Sequence, residues 1–213
     1  MKHIPLFEEY IAINEIGEGT TPFKWKRTGE KPVVWATTMS SIDRTDGQQT
    51  HGLPTLSYEF SSDKATYVVK IGGYSEKQTY IPAFMKPGAK KPADFHVKFA
   101  VSFDVVGSEK EQMTNFGEQF RVISTVSDIV INDVMKELQD YEWFKVKEIH
   151  LAPKLEDGEE GKPIAQTKRG RLYLEYIKKQ GRRLDGYWTA FIEKDTFILK
   201  DGKWSGSDKM IQL

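Results

Sequence analysis

Eleven consecutive residues, Phe95 to Val105, alternate without interruption. Phe95, Val97, Phe99, Val101, Phe103 and Val105 fall on one side; His96, Lys98, Ala100, Ser102 and Asp104 fall on the other. A period of two is strand geometry, and an apolar side of this size has to be covered by another layer. Further along, the period changes to 3.6. Between Gly117 and Asp140, Phe120, Ile123, Val126, Val130, Val134 and Leu138 form one stripe, widened by Val122, Ile129 and Ile131. So broad a stripe predicts a helix packed across a sheet, with Thr114 or Asn115 to cap it and Glu118 in its first turn. Many of its apolar residues are β-branched, so burial rather than intrinsic propensity must hold it.

The remaining segments fit around this pair. Pro5 to Ile16 predicts a short amphipathic helix, with Pro5 near its start and Gly17 past its end. Phe23 to Arg27, Val33 to Thr38, Thr55 to Phe60 and Thr66 to Ile71 predict strands, rich in β-branched and aromatic residues and bounded by turn formers. The short Ser61–Lys64 connection predicts a hairpin. Met39 to Pro54 and Met85 to Asp94 read as loops, long for simple hairpin connections. A strand is expected over Lys145 to Ala152, closed by Pro153. Leu155 to Gln166 has no apolar pattern and is expected to be a mobile loop with nothing to bury. Lys168 to Lys179 predicts a second core helix through Leu172, Tyr173, Tyr176 and Ile177. Tyr187 to Ile192 and Phe197 to Lys200 predict a final hairpin. The expectation is one α+β domain over residues 1–200, a mostly antiparallel twisted sheet with two core helices, followed by a loosely ordered tail over 201–213.

Composition excludes several classes. With 31 Lys+Arg against 31 Asp+Glu, the 213-residue chain has no net charge to attract nucleic acid or an anionic membrane as a whole. It has no cysteine, hence no disulfide, thiolate metal site or cysteine nucleophile. No stretch approaches 18 uninterrupted apolar residues, so no membrane partner is expected. The first residues carry acids where a signal peptide needs an apolar run, so export by that route is not expected.

Candidate chemistry is sparse. The four histidines, His3, His51, His96 and His150, lack a second ligand at a recognised metal spacing. Glu148 and His150 share a strand face at i, i+2 and are read as a decorated surface, with no metal assigned. There is no Gly-x-Ser-x-Gly elbow, and Ser124 and Ser127 lie inside a helix, so no nucleophile is assigned. Thr114 to Glu118 approaches a phosphate cradle at a helix start, but it holds one glycine, Gly117, and an acid, Glu118. A capping role is favoured there. Lys168, Arg169, Arg171, Lys178, Lys179, Arg182 and Arg183 form a basic run opposed by Glu175, with the acidic Glu156–Glu160 segment upstream. A solvated helix face is its ordinary reading; binding of nucleic acid or another polyanion is the alternative. Trp25, Trp35, Trp143 and Trp204 fall near element ends, where they serve either as core or as interface anchors.

Three segments together carry a family resemblance. Phe7–Ile11 is followed by Pro22–Lys26. Asn115-Phe116-Gly117-Glu118-Gln119-Phe120-Arg121-Val122 opens the long helix. Ile149–Lys154 precedes Arg169 to Ile177, which holds Arg169-Gly170-Arg171-Leu172-Tyr173. This resembles a widespread group of uncharacterised tailed-bacteriophage proteins sharing an Asn-x-Gly-x-x-Phe-Arg-Val helix and a later Arg-x-x-Leu-Tyr helix. The resemblance implies a phage protein in the virion or the host cytoplasm, with other phage structural proteins or a second copy as partner. It supplies no catalytic residue. The element order is also similar to the core of GNAT-type N-acetyltransferases. That likeness implies an acyl-CoA diphosphate loop at the start of the long helix and a tyrosine acid near Tyr173. The chain departs from the pattern at the loop: its second small residue is missing, and Phe120 stands near where close backbone approach is needed. No cofactor is therefore assigned, and the expected function is contact-based, with acyl-CoA-dependent N-acetyl transfer or polyanion-binding inhibition of the host as alternatives.

Overall fold

The computed structural model describes residues 21–41, 52–75, 95–107, 118–141, 144–153, 158–180, 188–193 and 196–201. In them a seven-stranded sheet and its helices form an α+β fold. The strands are β1 (Trp25–Arg27), β2 (Leu56–Ser61), β3 (Thr66–Ser75), β4 (Phe95–Val105), β5 (Phe144–Leu151), β6 (Trp188–Glu193) and β7 (Thr196–Asp201). The helices are α1 (Val33–Ser41), α2 (Gln119–Asp128), which runs through a π-helical segment (Ile129–Met135) into α3 (Lys136–Gln139), and α4 (Lys168–Gln180).

The sheet order is β1-β2-β3-β4-β5-β7-β6, antiparallel except for the β4/β5 pair. The expected hairpins are both present, Ser61 facing Thr66 and Glu193 facing Thr196. Two connections return the chain in parallel, β4 to β5 and β5 to β6, and both move the same way across the sheet. A common hand of crossover then puts their helices on one face. The contacts agree. Trp35 of α1 packs on Phe99 with ring centroids 5.8 Å apart. Asp133 of the π segment accepts from the Tyr58 hydroxyl at 2.8 Å. Tyr173 of α4 stacks on Phe103 at 6.4 Å. Register places Tyr58, Val69 and Phe103 side by side, so all three helical contacts fall on the apolar side of β4. On the other side Lys70, Ala100, Ser102 and Asp104 are exposed.

The long helix follows its stripe, but not as a uniform α-helix. Val122, Val126, Val130, Val134 and Leu138 are all buried, each four residues from the last. At about 100° per residue, four residues overshoot a turn by about 40°, and the stripe would drift by about 160° from first to last. The wider π turn takes up that overshoot and keeps Val134 and Leu138 under the sheet.

Two expectations are corrected. Val33 to Thr38, read as a strand, begins α1 instead. Its β-branched residues favour a strand only weakly, and tertiary contacts prevail. Trp35 is fully buried, and the Val33 amide donates to Glu137 Oε1 at 3.1 Å, which satisfies one of the orphan N–H groups at the helix start. α1 also includes Met39 to Ser41, the start of the segment read as the Met39–Pro54 loop; residues 42–51 lie outside the described residues. The second correction concerns Leu155 to Gln166. Ile164 is 1% exposed and Glu159 5% exposed, and Glu159 Oε1 accepts from the Lys168 amide at 2.9 Å, capping α4. From Gly158 on, the segment is thus an anchored helix start with a carboxylate buried for capping, while residues 155–157 lie outside the described residues. Gly170 belongs to the same device, because a Cβ there would collide with the Ile164 carbonyl. The predicted helix over Pro5 to Ile16, the Met85–Asp94 loop and the tail beyond Asp201 lie outside the described residues.

Candidate functional site

The start of α2 is where the sequence placed its only phosphate-cradle candidate. Thr114 to Gly117 lie outside the described residues. Glu118 holds the N-cap position without a side-chain capping bond, and its Oε2 is buried with no hydrogen-bond partner among the described residues. The residues behind it are packed for structure. Thr125 Oγ1 donates to the Arg121 carbonyl at 2.7 Å and accepts from the Phe23 amide at 2.9 Å. Arg121 lies over the Phe23 ring, 3.9 Å from its centroid. Tyr173, the residue the acetyltransferase likeness would make an acid, is half-buried against Phe103. Burial pushes its hydroxyl far above the ordinary tyrosine range. Arg169 counteracts this in part and Asp104 adds to it. Tyr173 is therefore a weak proton donor in this setting. Beside it β4 runs past the end of its β5 ladder: the pair ends at Val101 and Leu151, whereas β4 continues to Val105.

On the opposite face, the Glu148–His150 pair is brought together as its spacing suggests. His150 Nε2 lies 2.8 Å from Glu148 Oε2, and Lys98 Nζ lies 3.1 Å from Glu148 Oε1. The Tyr74 ring meets the His150 ring edge-on at 6.3 Å. Burial opposes charge on Glu148, but the hydrogen bonds from His150 and Lys98 and the charges of Lys98 and Lys200 outweigh it and hold the carboxyl below its ordinary range. The cluster is an ionised carboxylate with both oxygens engaged. Among the described residues no group of three His, Asp or Glu side chains is placed to hold a metal ion.

One cluster escaped the sequence reading. Arg27 reaches across from β1 to the long helix, where Nη2 bonds Asp133 Oδ1 at 2.7 Å and Glu137 Oε2 at 3.0 Å. Tyr58 donates to the same Asp133, and Trp25 Nε1 donates to Asp128 Oδ2 at 2.7 Å. Burial opposes charge on Arg27; the two carboxylates overcome it and raise its affinity for the proton. Burial, then Asp133, pushes the Tyr58 hydroxyl far above its usual range. Asp128 and Asp133 stand five residues apart, about 140° apart on an α-helix, yet both face β1. The π turn between them is what aligns them.

Of the basic run, Lys168 and Arg171 are exposed and Arg169 is half-buried, while Arg182 and Arg183 lie outside the described residues. Glu159 caps the same helix at its first amide, so an acid stands at the head of the cationic stretch. Trp35 is a core residue and Trp25 a half-buried anchor to Asp128; Trp143 and Trp204 lie outside the described residues. Among the described residues no helix is long and apolar enough to cross a membrane. No protein-family model, no curated protein and no solved structure matches this chain.

Proposed function

We propose that this chain is a bacteriophage protein acting through surface contacts, a virion-associated component on a degenerate acetyltransferase-like scaffold. The observation that carries the reading is Glu118. A diphosphate at the start of α2 would need the free backbone N–H groups there. Glu118 stands at that position with one carboxylate oxygen buried and unpaired among the described residues, and a further anion beside it meets like-charge repulsion in a poorly solvated place. The phage source rests on the Asn115–Val122 and Arg169–Tyr173 motifs. Quantitative mass spectrometry of purified particles tests the reading: a fixed copy number per particle is expected, and absence from particles overturns it.

A second reading, an acyl-CoA-dependent N-acetyltransferase, is favoured by one feature. After β1 and α1, three antiparallel strands, a long helix, a parallel strand, a helix and a hairpin follow one another, and β4 projects beyond β5 beside Tyr173. Titration calorimetry with acetyl-CoA separates the two. The proposed function predicts no heat; saturable heat that grows on Glu118→Gln substitution would establish the alternative.

A further inference from the structure

The sheet has two outer strands, and they are finished differently. β1 is three residues long, carries Lys26 and Arg27, and is tied to the long helix through Asp128, Asp133 and Glu137. Short length and cations are the usual means of keeping an edge from templating another strand. β6 has neither. It is six residues, Trp-Thr-Ala-Phe-Ile-Glu, without Lys or Pro, and it pairs with β7 residue for residue with no bulge. On its other side its backbone N–H and C=O groups have no ladder partner among the described residues.

We infer that the β6 edge is a self-association surface, taken by β6 of a second copy running antiparallel to it. The operator is a two-fold axis perpendicular to the sheet, near Ala190 and Phe191. Such an axis makes one edge its own complement, uses both free edges at once and closes the assembly at two chains. It leaves both helical layers on the same side of one continuous sheet. Antiparallel pairing also sets the strand's single charged residue, Glu193, at opposite ends of the new ladder, so no like charges meet. Joining β6 to β1 of another copy would give an open-ended row, limited to three residues per contact.

Sedimentation equilibrium of the full chain tests this. The wild type is expected to move from 24.5 kDa towards twice that mass as concentration rises to about 100 µM, the range of a small interface. Phe191→Lys brings two lysines together near the axis and is expected to hold the chain at the mass of one copy, with its circular dichroism unchanged. If that variant does not fold, Thr189→Glu, which sets a like charge opposite Glu193 of the second copy, serves the same purpose. A wild type that stays at 24.5 kDa throughout, or a folded variant that still doubles its mass, overturns the inference.

Discussion

At one end of the sheet a strand of three residues is held by side chains; at the other a strand of six is held by its own ladder. Three residues make too few ladder bonds to fix an edge strand, and the β1 end makes up the difference with Trp25, Arg27 and Tyr58 reaching three carboxylates on the long helix. At the β6 end all six residues pair in simple register, and Phe197, Ile198 and Leu199 of the neighbouring β7 are buried. Polar anchoring and hydrophobic burial thus do the same work at opposite ends of one sheet. They differ in what they leave behind: the anchored edge is short and carries two cations, the other is longer and carries no cation.

The comparison breaks most sharply at Asp133. Asp133→Ala removes the acceptor shared by Arg27 and Tyr58 and leaves the half-buried guanidinium with Glu137 as its remaining carboxylate partner. A loss of about 3 kcal/mol is expected from the urea midpoint, and amide exchange should quicken in β1 while β6 is unaffected. Next comes Gly170→Ala, where the new methyl must push the Ile164 turn off α4. About 2 kcal/mol is expected in thermal unfolding, without effect on β1. A smaller effect is expected in acid. The Glu148 carboxyl ionises more readily folded than unfolded, so below its ordinary value of 4.5 the unfolded chain takes up the proton first and stability falls with pH. Glu148→Gln should flatten that fall, and a wild type and variant with parallel pH profiles would remove Lys98 and His150 as its cause. The smallest effect belongs to the exposed Lys26–Glu59 pair. Lys26→Ala should change the urea midpoint by less than about 0.5 kcal/mol, showing that the β1 end is held through the helix and not through its outer face.

Much of this architecture is legible in the chain. Phe95 to Val105 forms a strand over the whole alternating run, because a strict period of two with a wholly apolar side has one solution. The broad stripe through Leu138 likewise marks the covering helix, and its spacing of four already hints at the π turn. Val33 to Thr38 misled because local preference favours a strand, whereas Glu137, about a hundred residues away, caps it as a helix. The Arg27 cluster was hidden for the same reason: its members are separated by 75 to 110 residues. One sign was present. Arg27 shares a side with Trp25 and Phe23, and a cation on the apolar side of a strand needs a buried partner. Glu148 and His150 are adjacent by spacing alone. Lys98 joins them through a cross-strand register that shifts at Lys147, which no local pattern predicts.

Residue-resolved hydrogen exchange at two concentrations puts the difference between the two edges to the most direct test. β1 amides are expected to be equally protected at low and high concentration, and Trp188 to Glu193 amides to gain protection as concentration rises. Equal protection of the β6 amides in dilute and concentrated solution, or a β1 that exchanges faster than β6 in both, would contradict it.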